Sequence, residues 1–274
     1  MNLLERKMVD QLKDLKENHF AIGIKAEFEA EGTRLEEALR LKEIITKAGL
    51  DLTIKIGGCE ALKDMYDARS IGVTRIVGPM IETPYALNKY LSCANMAFPE
   101  DERKEVDFLV NIETIYSVRN FDDMLKLPTI DQLKGIVIGR TDMTGSLGLV
   151  KEDINVEQVR EICDEVLVKA RAFRPDMETV IGGGVSADSL YFFEKLIPGN
   201  LMKFETRKVL FDAQKATLSN GGDRGILKAV GFELMWLKNK RNFYGMIYKE
   251  DENRIQTLQT RWDKSILIAG GKYE

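Results

Sequence analysis

The segments VDFLVNIE (residues 106–113) and GIVIGRTD (residues 135–142) decide how this chain folds. Each is a short apolar run filled at both odd and even positions, and each ends in a carboxylate. Strand side chains alternate faces at every residue. A run that is apolar on both parities is therefore a strand covered on both sides, the habit of parallel sheets. The same rhythm runs outward in both directions. Strands are expected at 20–28, 52–56, 75–80, 106–112, 135–139, 179–182 and 202–206, with helical patterns at 2–17, 33–48, 59–70, 84–96, 117–126, 155–173, 186–196 and 210–219. Thr33 followed by Glu36 reads as a capping box, and Gly49 as a helix stop. Strand–helix alternation predicts an α/β fold. With seven strands placed in 274 residues, a closed TIM (β/α)8-type barrel with an eighth strand still unplaced fits the length. The barrel is expected over 1–219. A C-terminal helical segment, packing on the barrel or on a neighbouring subunit, is expected over 220–274, with 223–248 helical and 249–274 a tail or arm.

Composition narrows the function classes. Lys+Arg 40 against Asp+Glu 44 leaves a net charge of −4, which gives no reason to expect nucleic acid or a membrane surface as partner. Charges interrupt every apolar run of the first 20 residues, so no secretory leader is expected. No stretch reaches the roughly 18 apolar residues of a membrane span. Cys59, Cys93 and Cys163 are too scattered for a metal motif or a disulfide framework, and a cytoplasmic protein with reduced thiols is the expectation. His19 is the single histidine, placed before the first strand, at the end of the barrel away from the chemistry.

In a barrel, chemistry gathers at the C-terminal strand ends. Here those positions carry Lys25, Glu27 and Glu29 on the first strand, Lys55 on the second and Glu82 after the third. Asn111 and Glu113 follow on the fourth, Arg140 and Asp142 on the fifth, and Lys203, Glu205 and Arg207 on the seventh. Glu113 and Asp142 end neighbouring strands about 5 Å apart. Two carboxylates with water and substrate oxygens suit Mg2+ or Mn2+. The glycines of Thr144-Gly145-Ser146-Leu147-Gly148 would let backbone N–H groups approach a substrate carboxylate, and Gly182-Gly183-Gly184 reads as a tight turn or a clearing for substrate.

Three motifs carry a family resemblance. IETIYSVRN (112–120), IGRTDMTGSLG (138–148) and GPMIETPYAL (78–87) resemble segments of the HpcH/HpaI aldolase and citrate lyase family of phosphoenolpyruvate/pyruvate-binding barrels. The resemblance spans about residues 20–210. It implies a lyase in which Glu113 and Asp142 hold a divalent metal, while the turn of Gly145, Ser146 and Leu147 receives a small anionic 2-oxo acid such as pyruvate. The strand-end charges add Arg207 as a further residue expected to bind that acid. Carbon–carbon cleavage would pass through a metal-stabilised enolate. Two departures stand out. Lys55 replaces the family's enolate-stabilising Arg, keeping the charge but losing the bidentate fork. The His base of the aldolase branch is absent, which leaves Glu27, Glu29, Glu205 or a metal-bound water for that role. Lys55, Glu27, Glu29, Arg140 and Glu205 are thus the candidate catalytic residues. Two rival readings remain: a Schiff-base aldolase using Lys25, Lys55 or Lys203, and a binding protein on a barrel that has lost its chemistry. A homo-oligomer is expected, because Phe232, Leu234, Trp236, Leu237, Phe243 and Trp262 place much apolar surface after the last barrel strand.

Overall fold

A computed structural model describes residues 1–196, 200–218 and 222–271. Eight strands close a barrel in sequence order: β1 (Ala21–Glu27), β2 (Asp51–Lys55), β3 (Arg75–Gly78), β4 (Asp107–Asn111), β5 (Gly135–Gly139), β6 (Glu178–Gly182), β7 (Lys203–Glu205) and β8 (Val209–Asp212). The helices are α1 (Leu3–His19), α2 (Leu35–Lys47), α3 (Leu62–Ile71), α4 (Pro84–Ala97), α5 (Glu100–Arg103), α6 (Ile115–Arg119), α7 (Phe121–Met124), α8 (Arg140–Ser146), α9 (Glu157–Phe173), α10 (Ser189–Leu196), α11 (Ala213–Leu218) and α12 (Gly222–Ile268). The chain divides into two compact units, Met1–Glu233 and Leu234–Glu274. The boundary expected at 219/220 lies outside the described residues.

Seven strands run parallel, and the eighth reverses. β8 pairs antiparallel with both β7 and β1, so the (β/α)8 alternation fails at its last step. A parallel strand needs a crossover of a dozen or more residues. Only residues 206–208 separate β7 from β8. They form a tight turn in which Thr206 N–H donates to the Val209 carbonyl at 2.9 Å and Val209 N–H donates to Thr206 Oγ1 at 3.0 Å. The missing eighth strand therefore lies within the segment expected to begin a helix at 210. The first capping assignment also moves by one residue. Arg34, not Thr33, precedes α2, and its N–H donates to Glu37 Oε2 at 3.2 Å. The expected tail is helical instead: α12 continues to Ile268, with no proline or glycine between Gly245 and Ala269 to stop it.

The barrel interior is layered. Residues of one strand parity share a face, and their registers stack them. Val77, Leu109, Val137, Val180 and Leu210 form a single buried apolar belt. Two residues earlier on the parallel strands lies an ionic floor. Arg75 donates to both Glu178 oxygens at 2.7 and 2.6 Å and to Asp107 at 2.9 Å, and Lys203 donates to Glu178. This floor borders a polar cavity of about 320 Å3 at the N-terminal end of the strands. Lys203 therefore stands below the belt, not at the mouth with Glu205 and Arg207. Parity gives the face, but each residue climbs about 3.3 Å along the strand. Two residues beyond the belt stand Asn111, Gly139 and Gly182, and with Lys25, Lys55 and Glu205 they line the mouth.

Candidate active site

A cavity of about 490 Å3 opens at the C-terminal end of the parallel strands. Its lining takes Lys25 and Glu27 from β1, Lys55 from β2, Asn111 and Glu113 from the end of β4, and Asp142 from the first turn of α8. Glu205 comes from β7, and Thr206 and Arg207 from the reversal into β8.

Glu113 is the deepest carboxylate, with 1% of its surface exposed. Its Oε1 accepts from Met80 N–H at 2.9 Å and its Oε2 from Asn111 Nδ2 at 2.7 Å, while Lys55 Nζ stands 3.9 Å from Oε2. Met80 holds a left-handed backbone (φ 49°) to make this bond, a strain uncommon outside glycine. Burial pushes the Glu113 carboxyl up. The Lys55 charge and the Met80 N–H oppose that rise, and the nearby Asp142 charge adds to it. A second charge cluster lies across the cavity. Lys25 Nζ donates to Glu205 and lies 3.1 Å from Glu27. Burial alone would lower the Lys25 pKa, but Glu205 and Glu27 outweigh it and raise it. Burial alone would raise Glu27, but Lys25 and Lys55 hold it below its ordinary value. Lys55 is likewise raised, because Glu113, Glu29 and Glu27 outweigh its burial. Both lysines rest as ammonium ions at neutral pH, a form that must first lose a proton before it can attack a carbonyl carbon. Lys203, whose pKa burial does lower, sits in the ionic floor.

Of the residues singled out in the sequence, Lys55, Glu27, Glu205, Arg207, Glu113 and Asp142 share this cavity. Glu29 is outside its lining but lies 2.8 Å from Lys55 Nζ. Arg140 turns away. It is fully buried, its Nη2 donating to the Gly183 carbonyl at 2.9 Å and its Nη1 to Asn155 Oδ1 at 2.6 Å, with its guanidinium 4.8 and 5.1 Å from the Phe192 and Phe193 rings. Burial pulls it down to about 10, still a cation at neutral pH. Gly145, Ser146 and Leu147 are not brought to the cavity either. The segment folds as the end of α8, so Leu147 N–H is spent on the Met143 carbonyl at 3.1 Å. Ser146 Oγ accepts from Ile115 N–H at 3.0 Å.

The lining instead includes Gly182, Gly183, Gly184 and Thr141. Gly183 (φ 81°) packs on the first turn of α8 so closely that a Cβ there would meet Thr141 N at 2.6 Å. Sequence reasoning missed Glu233, which reaches the cavity from α12 beside Arg207, 4.0 Å away. It also missed the buried Lys208, which is ion-paired with Glu31. Neither belongs to a strand-end pattern that parity could reveal.

The donors around Glu113 suit a hard cation. Glu113 and Asp142 offer carboxylate oxygens, and Asn111 Oδ1 is buried with no hydrogen-bond partner among the described residues. No cluster of three His, Cys, Asp or Glu side chains arranged for a metal occurs among the described residues. Any cation here would take its remaining ligands from water or substrate, as Mg2+ commonly does.

The profile of the HpcH/HpaI aldolase/citrate lyase family matches residues 34–183, more than half of the chain. The chain belongs to this family. It is therefore a lyase of the aldolase and citrate lyase kind. Solved structures with the same fold include the HpcH/HpaI aldolase from Desulfitobacterium hafniense DCB-2, at 13% identity over 75% of this chain and 83% of that one, TM-score 0.57. An HpcH/HpaI aldolase/citrate lyase family protein from Burkholderia cenocepacia J2315 is similar at 15% identity over 75% and 93%, TM-score 0.56. Citrate synthase SbnG is similar at 13% identity over 86% and 90%, TM-score 0.58. A comparison with curated proteins gives no match. No helix among the described residues is long and apolar enough to cross a membrane.

Proposed function

We propose that this family member cleaves or forms a carbon–carbon bond in a small 2-oxo acid with the help of Mg2+ or Mn2+ held by Glu113 and Asp142. The observation that carries the reading is the meeting of these two carboxylates with Lys55 in one polar cavity. The cation would supply Lewis-acid polarisation of the 2-oxo group.

The chain's own residues account for the rest. Asn111 and the Met80 N–H fix both oxygens of Glu113, so its orientation is set before substrate arrives. In the cleavage direction, a carboxylate takes the proton of the substrate's 4-hydroxyl. The C3–C4 bond breaks, its electron pair shifts to the 2-oxo oxygen, and a proton returned to C3 completes a pyruvate-like product and an aldehyde. Glu27, which lines the cavity 3.1 Å from Lys25, is the carboxylate we assign to accept that proton; Lys25 and Lys55 hold it ionised at the cost of basicity. Lys55 faces the charge that develops on the oxygen, the role in which one electrostatic contact is worth about 10²–10³ in rate. Arg207, half exposed at the rim, is placed to meet a second anionic group of the substrate.

Exchange of the pyruvate methyl protons in D2O, followed by NMR, tests this without knowledge of the aldehyde partner. Exchange that needs Mg2+ or Mn2+, stops with EDTA and is lost in Glu113→Gln is the expected result. Metal-independent exchange, or a borohydride-trapped pyruvate adduct that survives EDTA, would overturn it.

A further inference from the structure

The structure assigns the exposed half of α12 to a second copy of this chain, paired antiparallel about a two-fold axis beside Met246. No residue from Arg241 to Ile268 is buried, although the helix continues unbroken through them. A helix that long gains little stability in water without a packed face. This one carries such a face. From Leu234 onward, positions spaced alternately three and four residues apart form one stripe, the pattern of a two-stranded coiled coil. The stripe holds Leu234, Leu237, Ile255 and Leu258, which are 51%, 51%, 57% and 59% exposed. Tyr244 and Tyr248 occupy its middle. Arg241 and Asp251 are the two charges on it.

Those two charges choose the direction and the register. In a parallel pair, Arg241 would face the partner's Arg241, and Asp251 the partner's Asp251. In the antiparallel pair, Arg241 faces the partner's Asp251. The same axis sets Leu234 on the partner's Leu258, Leu237 on the partner's Ile255, and Tyr244 on the partner's Tyr248. A slip of one heptad one way places Asp251 on the partner's Leu234. A slip the other way places Arg241 on the partner's Leu258. Only the central register matches apolar with apolar and charge with opposite charge along all 25 residues, about 37 Å of helix. Beside the stripe, Lys238 comes to the partner's Glu252. The like pair of Lys240 and the partner's Arg254 stands on the outer edge, where salt screens it.

Analytical ultracentrifugation of the full chain and three variants tests the pairing, with circular dichroism confirming that each variant is folded. Wild type is expected to self-associate. Arg241→Asp and Asp251→Arg each bring like charges together and are expected to weaken association by about tenfold or more. Where barrel surfaces also assemble, each is expected to halve the mass of the assembly. The double variant Arg241→Asp/Asp251→Arg restores opposite charges only in the antiparallel register and is expected to recover wild-type association. A wild-type monomer at about 100 μM, single variants that associate like wild type, or a double variant as weak as the singles would each overturn the proposal.

Discussion

Gly139→Ala should disable the site while leaving the barrel folded, and its cost can be worked from distances. A Cβ at residue 139 would stand 2.5 Å from Glu113 Oε2 and 2.9 Å from Glu113 Cβ. Ordinary contact begins near 3.4 Å, so Oε2 must retreat by about 0.9 Å. The backbone adds no penalty, because Gly139 has φ −88°, which alanine adopts freely. The carboxylate can move only by giving up Asn111 Nδ2 or Met80 N–H, and a hydrogen bond to a charged group is worth about 1.5–3 kcal/mol. With overpacking strain of about 1–3 kcal/mol, the expected loss is about 2.5–6 kcal/mol. For a unit of this size that lowers Tm by roughly 5–25 °C. A displacement near 1 Å at the chemistry costs about 10²-fold in rate. Differential scanning calorimetry and pyruvate methyl exchange at 25 °C, well below either melting point, read the two effects separately. Gly145→Ala is the control: a Cβ there meets nothing within 4 Å, and it should hold or gain stability with full activity. Wild-type Tm together with wild-type exchange in Gly139→Ala would refute the reasoning.

Four further outcomes follow from the same geometry. Lys25→Met strands Glu27 in the cavity and should cost about 3–5 kcal/mol at pH 7. Because Glu27 is held low in the wild type, the folded protein binds fewer protons there than the unfolded chain; that advantage is present above the unfolded carboxyl range and is lost as pH falls through the folded pKa, so urea titrations of wild type and variant should converge as pH drops below the ordinary carboxyl range. Gly183→Ala combines a left-handed backbone with contacts of 2.6 and 2.8 Å to the Thr141 and Arg140 nitrogens, and should destabilise by several times the roughly 1–2 kcal/mol of Gly32→Ala, which is left-handed but open; thermal melts compare them. Glu113→Gln should lose Mn2+ binding in calorimetry, and EDTA should abolish wild-type turnover with recovery on adding Mg2+. Lys55→Met should lower kcat about 10²–10³-fold at saturating substrate, and near-wild-type kcat would reduce Lys55 to an ion-pair partner of Glu29.

The parts of the fold legible in the sequence are those where one local signal suffices. Apolar runs that end in Glu113 and Asp142 announced buried strands and the carboxylates beyond them, and the three-motif resemblance pointed to the same pair. The eighth strand was illegible because Val209–Asp212 is four residues long and follows its neighbour by a tight turn, so no helical interval marked it. Arg140 looked like a mouth residue because it directly follows a strand. Its direction depends on carbonyls of Gly182 and Gly183 more than 40 residues away. Ser146 and Leu147 were expected to offer backbone N–H groups because glycines flank them, yet the segment folds as the end of α8 and the Leu147 N–H is spent on the Met143 carbonyl. Lys203 and Glu205 share a face, but the Lys203–Glu178 pair and the separate cavities that the two residues line show that the belt lies between them.

The apolar belt is one side chain thick. Val137 lines the upper cavity and Leu210 the lower one, so two wet compartments face each other across a gasket of five aliphatic residues. The barrel is thus close to being a pipe. Shortening one member of the ring opens a thread of water from the ionic floor to Lys25 and Glu27. Once hydrated from beneath, those groups lose the low-dielectric surroundings that strengthen their attraction, and protons gain a second route to the reacting carbon. The same five residues that hold the strands together also keep the site open to solvent at one end only.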